Sequence, residues 1–212
     1  MDDGYRTLKR AARAELTEKR SRFIAAAAPV RTEAQALALL ETVRAANRQA
    51  SHNVWAYVLR ENNLQRYSDD GEPQGTAGLP VLDVLARGGL TDAAVVVTRY
   101  FGGTLLGTGG LVRAYGEAAS RAVAAAGIAV MEVCAVYELT CAYAEYDRLQ
   151  RLLPPLGAAV EDSAFTDAVR LRVALPRENA PALCAQLVEL TRGQQAPKLL
   201  GEKYVDVAQG EA

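Results

Sequence analysis

The sequence predicts an α+β protein built from two domains, which we place at residues 1–130 and 131–212. The chain has 212 residues, more than one modest domain needs. Half of the residues are hydrophobic, so packed cores are expected. Short β-branched or alternating segments lie between segments with helical spacing in both halves of the chain. These observations point to a mixture of strands and helices in each domain.

The first domain is predicted to alternate strands with three helices. Thr32 and Gln35 form a capping box that opens the first helix, and Pro80 suits the first turn of the second. A third helix follows a glycine-rich loop at 101–110 and ends at Gly127. Strands are predicted at Glu15–Pro29, Asn53–Leu59, Leu64–Ser68 and Ala93–Thr98, the last of them buried on both faces.

The second domain has a different order of elements. Pro154 closes its first helix, and Thr166 and Asp167 form the turn of a hairpin. The predicted elements are strand Val133–Cys141, helix Tyr146–Leu153, strands Ala158–Phe165 and Ala168–Leu175, helix Ala180–Leu190 and strand Leu199–Val207. This order, βαββαβ, is that of the ferredoxin-like split.

The charge balance argues against disorder and against a general binder of polyanions. The chain has 24 Lys and Arg residues against 25 Asp and Glu residues. Eight of the basic residues fall within Met1–Arg31 beside four acidic ones. A surplus of this size is more typical of a solvated strand surface than of a phosphate-binding site.

The three cysteines and the single histidine do not have the spacing of a zinc site. Cys134, Cys141 and Cys184 form no CxxC pair, so free thiols in a reducing compartment are expected. His52 has no nearby Cys or Asp partner in the sequence, so a hydrogen-bonding role at the entry of a strand is favoured over a catalytic role. The charged N-terminus is unlike a signal peptide, and no run of about 18 apolar residues exists. We therefore expect a cytoplasmic protein that does not span a membrane.

The segment Ser68–Pro80 places three carboxylates within four residues. Asp69, Asp70 and Glu72 lie among glycines and prolines that fix unusual backbone angles. Carboxylates this close could hold Mg²⁺, which prefers oxygen ligands. They could instead cap the following helix or accept hydrogen bonds from loop amides, and this structural role is favoured.

The segment Arg99–Tyr115 contains five glycines just before a helix. These glycines can present backbone N–H groups to an anion at the positive end of the helix. Arg99 and Arg113 flank the loop and could add phosphate contacts. Thr108 stands where a Walker loop needs Lys, and Val112 where a dinucleotide fingerprint needs Gly. Close packing of the loop is an equally open explanation. The glycines are Gly102, Gly103, Gly107, Gly109 and Gly110.

Five runs of residues stand out along the chain: EKRSRFIA at 18–25, SHN at 51–53, AY at 56–57, DDGEPQGTAGLP at 69–80 and RYFGGTLLGTGGLVRAY at 99–115. With these runs the chain resembles the IMPACT family, and specifically its bacterial YigZ branch. The resemblance covers essentially the whole chain, although the RWD domain of eukaryotic members is absent. It implies a first domain with the ribosomal protein S5 domain 2-like fold. It also implies a ferredoxin-like second domain similar to domain V of elongation factor G.

The resemblance implies a translation-linked regulatory protein that binds RNA or the ribosome, and it supplies no catalytic residues. Arg99, Arg113 and the backbone of Gly102–Gly110 would contact the anion in this hypothesis, with help from Arg20 and Arg22. A rival hypothesis is an enzyme or binding protein for a phosphorylated metabolite or nucleotide. In it the Gly102–Gly110 loop holds phosphate, and Asp69, Asp70 or Glu72 holds Mg²⁺ or acts as a base. A third is a protein-interaction module, as in eukaryotic relatives. The leading hypothesis is non-catalytic, and the oligomeric state stays open.

Overall fold

A computed structural model describes residues 4–207 and shows an α+β protein with antiparallel sheets. Its strands are β1 Gly4–Leu8, β2 Ala12–Glu18, β3 Ser21–Pro29, β4 His52–Leu59, β5 Leu64–Ser68, β6 Ala93–Tyr100, β7 Ile128–Cys141, β8 Ala159–Phe165, β9 Val169–Pro176 and β10 Lys198–Asp206. Its helices are α1 Glu33–Ala46, α2 Gly78–Arg87, α3 Thr108–Ala126, α4 Tyr146–Leu152 and α5 Ala180–Leu190. The chain divides into two compact units, Tyr5–Val130 and a second that begins at Met131 and includes Gly4.

The Tyr5–Val130 unit is a five-stranded sheet with helices on both faces. The strand order is β2-β3-β6-β4-β5, and every pair is antiparallel. Helices α2 and α3 cover one face, where Phe23 and Val95 belong to the largest core. Helix α1 covers the other face through Leu40 and Val43. The predicted buried strand is confirmed, because β6 lies at the centre of the sheet and is buried along almost its whole length.

The prediction of one strand over Glu15–Pro29 is wrong. The segment forms two strands, β2 and β3, joined by a two-residue turn at Lys19 and Arg20. Both turn residues have positive φ, 44° and 68°, as the type I′ hairpin turn requires. Such turns usually carry Asn or Gly, so two long cations gave no turn signal. Strand β1 was not predicted either.

The second sheet has the order β1-β7-β9-β8, and β10 also pairs with β7. Elements β7, α4, β8, β9, α5 and β10 follow the predicted order. Helices α4 and α5 cover one sheet face, where Leu139, Leu171 and Leu187 belong to one apolar core. The sequence placed the start of β7 five residues too late, at Val133. Residues 1–3 and 208–212 of the predicted domains lie outside the described part of the chain.

All three cysteines lie in the described part of the chain, residues 4–207, and are free thiols. Cys134 and Cys141 are buried and Cys184 is partly buried. Burial raises the pKa of the thiols of Cys134 and Cys141, so these two thiols stay protonated and unreactive.

Candidate functional site

The two motif segments meet in the interior of the Tyr5–Val130 unit. Nη1 of Arg99, at the end of β6, donates to Oε1 of Glu72 at 2.6 Å. Both side chains are almost fully buried, with 6% and 4% of their surface exposed. A charge buried without a partner is costly, so each side chain fixes the other. The pair joins the Ser68–Pro80 segment to the Arg99–Tyr115 segment.

Three further side chains complete what we call the buried cluster: Ser21, His52, Glu72, Arg99 and Tyr115. The Tyr115 hydroxyl donates to Oε1 of Glu72 at 2.8 Å. Burial, followed by the nearby Glu72 charge, raises the pKa of Tyr115 far above its usual value, so the hydroxyl stays a donor. Oγ of Ser21 lies 3.3 Å from Nη2 of Arg99 and accepts from it.

His52 sits at the edge of the buried cluster and is a quarter exposed. Its Nδ1 lies 2.8 Å from the backbone oxygen of Asp70. Because a carbonyl oxygen only accepts, Nδ1 must carry the proton. Nε2 then faces Oε1 of Glu72 at 3.8 Å. This geometry suits the predicted hydrogen-bonding role, since His52 joins the start of β4 to the Ser68–Pro80 loop.

Asp69 holds the Ser68–Pro80 loop to the start of α2. One carboxylate oxygen accepts from the amides of Ala77 and Gly78, and the other from the amide of Gly75. The residue before α2, Ala77, has no capping side chain of its own. Asp69 therefore caps the helix from nine residues before its start, where the carboxylate also faces the positive helix end.

Asp70 also makes structural contacts. Its Oδ2 accepts from the backbone amide of Asn53 at 2.6 Å, and its Oδ1 pairs with Arg44 at 3.0 Å. The three carboxylates of the segment thus have different partners. Among the described residues, 4–207, no group of three or more His, Cys, Asp or Glu side chains is arranged to hold a metal ion. Mg²⁺ binding stays a prediction, without a ligand set preformed in this part of the chain.

We expect Asp69→Ala to lower the free energy of unfolding by about 2 kcal/mol, because three amides lose a charged acceptor. Urea unfolding followed by the fluorescence of Trp55 measures this, since the chain has one tryptophan. The matched control is Asp83→Ala on α2, where the carboxylate is half exposed and pairs with Arg87 at 3.5 Å. The control should change stability by less than about 0.5 kcal/mol. Equal effects of the two substitutions would contradict the capping role.

The glycine-rich loop of residues 101–110 is tight at Gly102 and has open space around three of its other glycines. A methyl group at Gly102 would lie 2.0 Å from the backbone oxygen of Arg20, so only glycine fits there. Gly103 and Gly107 have positive φ, 81° and 73°. A methyl group at Gly103, Gly107 or Gly109 would meet nothing within 4 Å. The loop therefore packs closely at Gly102 and leaves Gly103, Gly107 and Gly109 exposed.

Exposed cations border the open part of the loop. The Lys19–Arg20 turn abuts Gly102, and Arg113 lies one turn into α3. Within residues 4–207, none of these three cations has an ion pair. A groove of about 790 Å³ between α2, α3 and the end of β2 is lined by Lys19 and Arg113 and also by Gly110. We call Lys19, Arg20, residues 101–110 and Arg113 the loop surface.

The structure separates the predicted site residues into two groups. Arg99, Glu72 and His52 meet in the buried cluster, while Asp69 and Asp70 tie their loop to α2, β4 and α1. The five glycines and Arg113 belong to the exposed loop surface. In this geometry Arg99 supports the loop from within the fold. Ligand binding by the exposed group stays a prediction. The sequence did not indicate Ser21 or the Tyr115 hydroxyl, since both lie in segments that read as ordinary strand or apolar helix face.

Comparison with known proteins identifies the family to which the chain belongs. The profile of the Impact N-terminal domain matches residues 19–123, and a domain of unknown function, DUF1949, matches residues 139–194. The IMPACT family member YvyE of Bacillus subtilis is 34% identical over 90% of this chain and 88% of its own length. The chain belongs to the IMPACT family. It is YigZ-like, as predicted: the family member YigZ of Escherichia coli is 37% identical over 82% of this chain and 87% of its own length.

Other IMPACT relatives match over different extents. Protein IMPACT of Bos taurus is 36% identical over 43% of this chain and 30% of its own length. A crystal structure described as that of a hypothetical protein superposes with a TM-score of 0.61 at 32% identity. The superposition covers 96% of this chain and the whole of the crystallised chain. In the described residues of this IMPACT family member, no helix has the length and apolar character needed to cross a membrane.

Proposed function

We propose that this IMPACT family member is a translation-linked regulatory protein that binds RNA or the ribosome through the loop surface, without catalysing a reaction. The observation that carries the proposal is the open glycine-rich loop at the start of a 19-residue helix, bordered by unpaired cations. The helix begins without a side-chain cap, and its first residues, Gly107 to Gly109, are exposed. Exposed amides and cations together are the groups that contact phosphate.

The distribution of charge supports the proposal. Residues 5–130 contain 16 Lys and Arg against 11 Asp and Glu, an excess of five positive charges. Residues 131–212 contain 8 against 12, an excess of four negative charges. The near-neutral total therefore hides a basic unit and an acidic one. Most cations that could contact phosphate therefore lie in the unit that carries the loop surface.

The two fold assignments are part of the same proposal. We infer an S5 domain 2-like fold for residues 1–130 and a ferredoxin-like fold for residues 131–212. The strand order β10-β7-β9-β8, antiparallel throughout, supports the second assignment, because it is the order expected of a split βαββαβ unit. By resemblance, elongation factor G has a similar pair of domains, which favours a role at the ribosome. This last step is an analogy between folds, and function has to be tested at the loop surface.

Binding to RNA should weaken steeply with salt and depend on Lys19 and Arg113. Each phosphate contact releases counterions, so removing both cations should lower the slope of log K against log salt by roughly two. Fluorescence anisotropy with a labelled RNA hairpin at several KCl concentrations measures this, and sedimentation with ribosomal subunits gives a second readout. The control is Arg172→Ala, an exposed arginine of β9 in the acidic unit. Failure of the wild type to bind either target at low salt would refute the proposal.

The groove beside the loop supports a second candidate, a binding site for a phosphorylated metabolite or nucleotide. Its volume of about 790 Å³ lies within the range of small-molecule sites. Four cations and three carboxylates line it, and Lys19 and Arg113 are the cations that would hold a phosphate beside the loop. A thermal-shift screen with nucleotides, with and without Mg²⁺, would reveal such a ligand through stabilisation. A ligand whose shift persists in Arg172→Ala and disappears in Arg113→Ala would favour this candidate. A silent screen would count against it.

A further inference from the structure

An aromatic ring stands at the start of the loop surface with half of its area exposed. Phe101 is 50% exposed, and its backbone amide donates to Oγ of Ser51 at 3.3 Å. The guanidinium carbon of Arg99 lies over the Phe101 ring, 5.5 Å from its centroid. Arg99 is itself fixed by Glu72 in the buried cluster. The ring is therefore held from beneath by a buried cation while part of it faces solvent.

The contacts of Arg99 explain why the ring has a fixed position. The same guanidinium lies 5.6 Å from the centroid of the Phe23 ring, so it sits between two aromatic side chains. Among the described residues, its Nε is the one buried side-chain nitrogen or oxygen without a hydrogen-bond partner. The contacts with the rings offset part of this cost. Arg99 is thus a positioning residue for Phe101.

The turn that carries the exposed cations Lys19 and Arg20 packs on the loop next to Phe101. The residue after Phe101 is Gly102, whose amide donates to Ser21 and whose α-carbon packs on the backbone of Arg20. The backbone of the Lys19–Arg20 turn therefore packs on the residue that directly follows Phe101. Leu105, 82% exposed, adds apolar surface on the same loop. An exposed ring beside exposed cations is the combination that binds a base and its phosphates at once.

We propose that the Phe101 ring stacks on an unpaired nucleobase, so that the loop surface selects RNA with single-stranded or looped-out nucleotides over a continuous duplex. This inference rests on the proposed function and adds the class of RNA to it. Bases in an A-form duplex are stacked on each other and present no face to a protein ring. Phosphate contacts alone do not favour unpaired nucleotides, because a duplex carries the denser rows of phosphates, so the preference depends on the ring.

The test compares two labelled RNAs with equal numbers of phosphates, a hairpin with an unpaired loop and a fully paired duplex. Wild type should bind the hairpin about tenfold more tightly, since stacking on one aromatic side chain supplies roughly this factor. Phe101→Ala should lose the preference and keep the salt slope. Phe101→Trp should retain the preference, because a larger ring stacks at least as well. Circular dichroism and thermal melting check that both variants are folded.

The matched control is Phe165→Ala, because Phe165 is 51% exposed and lies in the acidic unit. It should bind both RNAs as wild type does. If wild type binds hairpin and duplex equally, or if Phe101→Ala keeps the preference, the inference is overturned and the proposed function stands. If no RNA or ribosomal subunit binds at low salt, the proposed function itself fails.

Discussion

Replacing Arg99 by alanine is expected to lower the free energy of unfolding of the Tyr5–Val130 unit by about 3–5 kcal/mol. The substitution leaves the Glu72 carboxylate buried with 4% of its surface exposed and without its cation. It also removes the cation between the Phe23 and Phe101 rings. Urea unfolding followed by Trp55 fluorescence reports on this unit, because the single tryptophan lies in it.

An exposed ion pair of the same sheet provides the control for Arg99. Arg22 on β3 makes a bidentate contact with Glu15, but both side chains are more than half exposed. Arg22→Ala should therefore cost less than about 1 kcal/mol. Equal losses in Arg99→Ala and Arg22→Ala would show that the buried cluster does not stabilise the unit.

Two further variants keep the test informative if Arg99→Ala does not fold. Arg99→Lys keeps the charge but loses the planar group that contacts Glu72 and both rings, so an intermediate loss is expected. In the double variant Arg99→Ala and Glu72→Ala, the loss should be smaller than the sum of the two single losses. The reason is that each single variant leaves one buried charge without its partner, whereas the double variant leaves none. Additive losses would mean that the two side chains act independently.

The sequence predicted the central part of the fold for local reasons. The Thr32 cap of α1 is present, because its hydroxyl accepts from the amide of Gln35 at 3.3 Å. The Gln35 side chain accepts in return from the amide of Arg31, one residue before the position that a capping box uses. Gly127 ends α3 with a positive φ of 70°. These features depend on neighbours within four residues, so the sequence displays them. The hairpin turn at Lys19 and Arg20 depends instead on the pairing of β2 with β3, which no local pattern signalled.

The sequence indicated some residues of the candidate site but not their surroundings. It gave Arg99 and Arg113 the same expected role, contact with an anion, yet the structure buries Arg99 against Glu72 and exposes Arg113. Burial and pairing arise from contacts across 27 residues for Arg99 and Glu72 and 43 residues for Tyr115 and Glu72. No spacing rule reaches so far along a chain. The preference for a structural role of Asp69 agrees with its contacts, because turn and cap chemistry is local.

The buried cluster and the loop surface are connected by direct contacts. Glu72 holds Arg99, Arg99 lies under Phe101, and Ser21 accepts from both Arg99 and the amide of Gly102. A change in the buried cluster should therefore alter binding at the loop surface as well as stability. Stability and binding can be separated by changing exposed residues such as Lys19, which should alter binding alone.

Gly102→Ala should lower the free energy of unfolding by about 3 kcal/mol and weaken RNA binding at the same time. The added methyl group would lie 2.0 Å and 2.1 Å from the backbone oxygen and carbon of Arg20, and backbone atoms cannot rotate away as a flexible side chain can. The loop must then move away from the Lys19–Arg20 turn, which separates Phe101 from those cations. Urea unfolding and RNA anisotropy on the same preparation measure both effects.

Gly109→Ala is the matched control, because it changes another glycine of the same motif. A methyl group at Gly109 meets nothing within 4 Å, and the residue lies in the first turn of α3. Alanine is the better helix former, so stability should stay equal or rise by up to about 1 kcal/mol. The two glycines look equivalent in the sequence. In the structure, Gly102 leaves no room for a side chain, whereas Gly109 does. If Gly102→Ala is as stable as Gly109→Ala, the close packing of the loop on the hairpin turn is refuted.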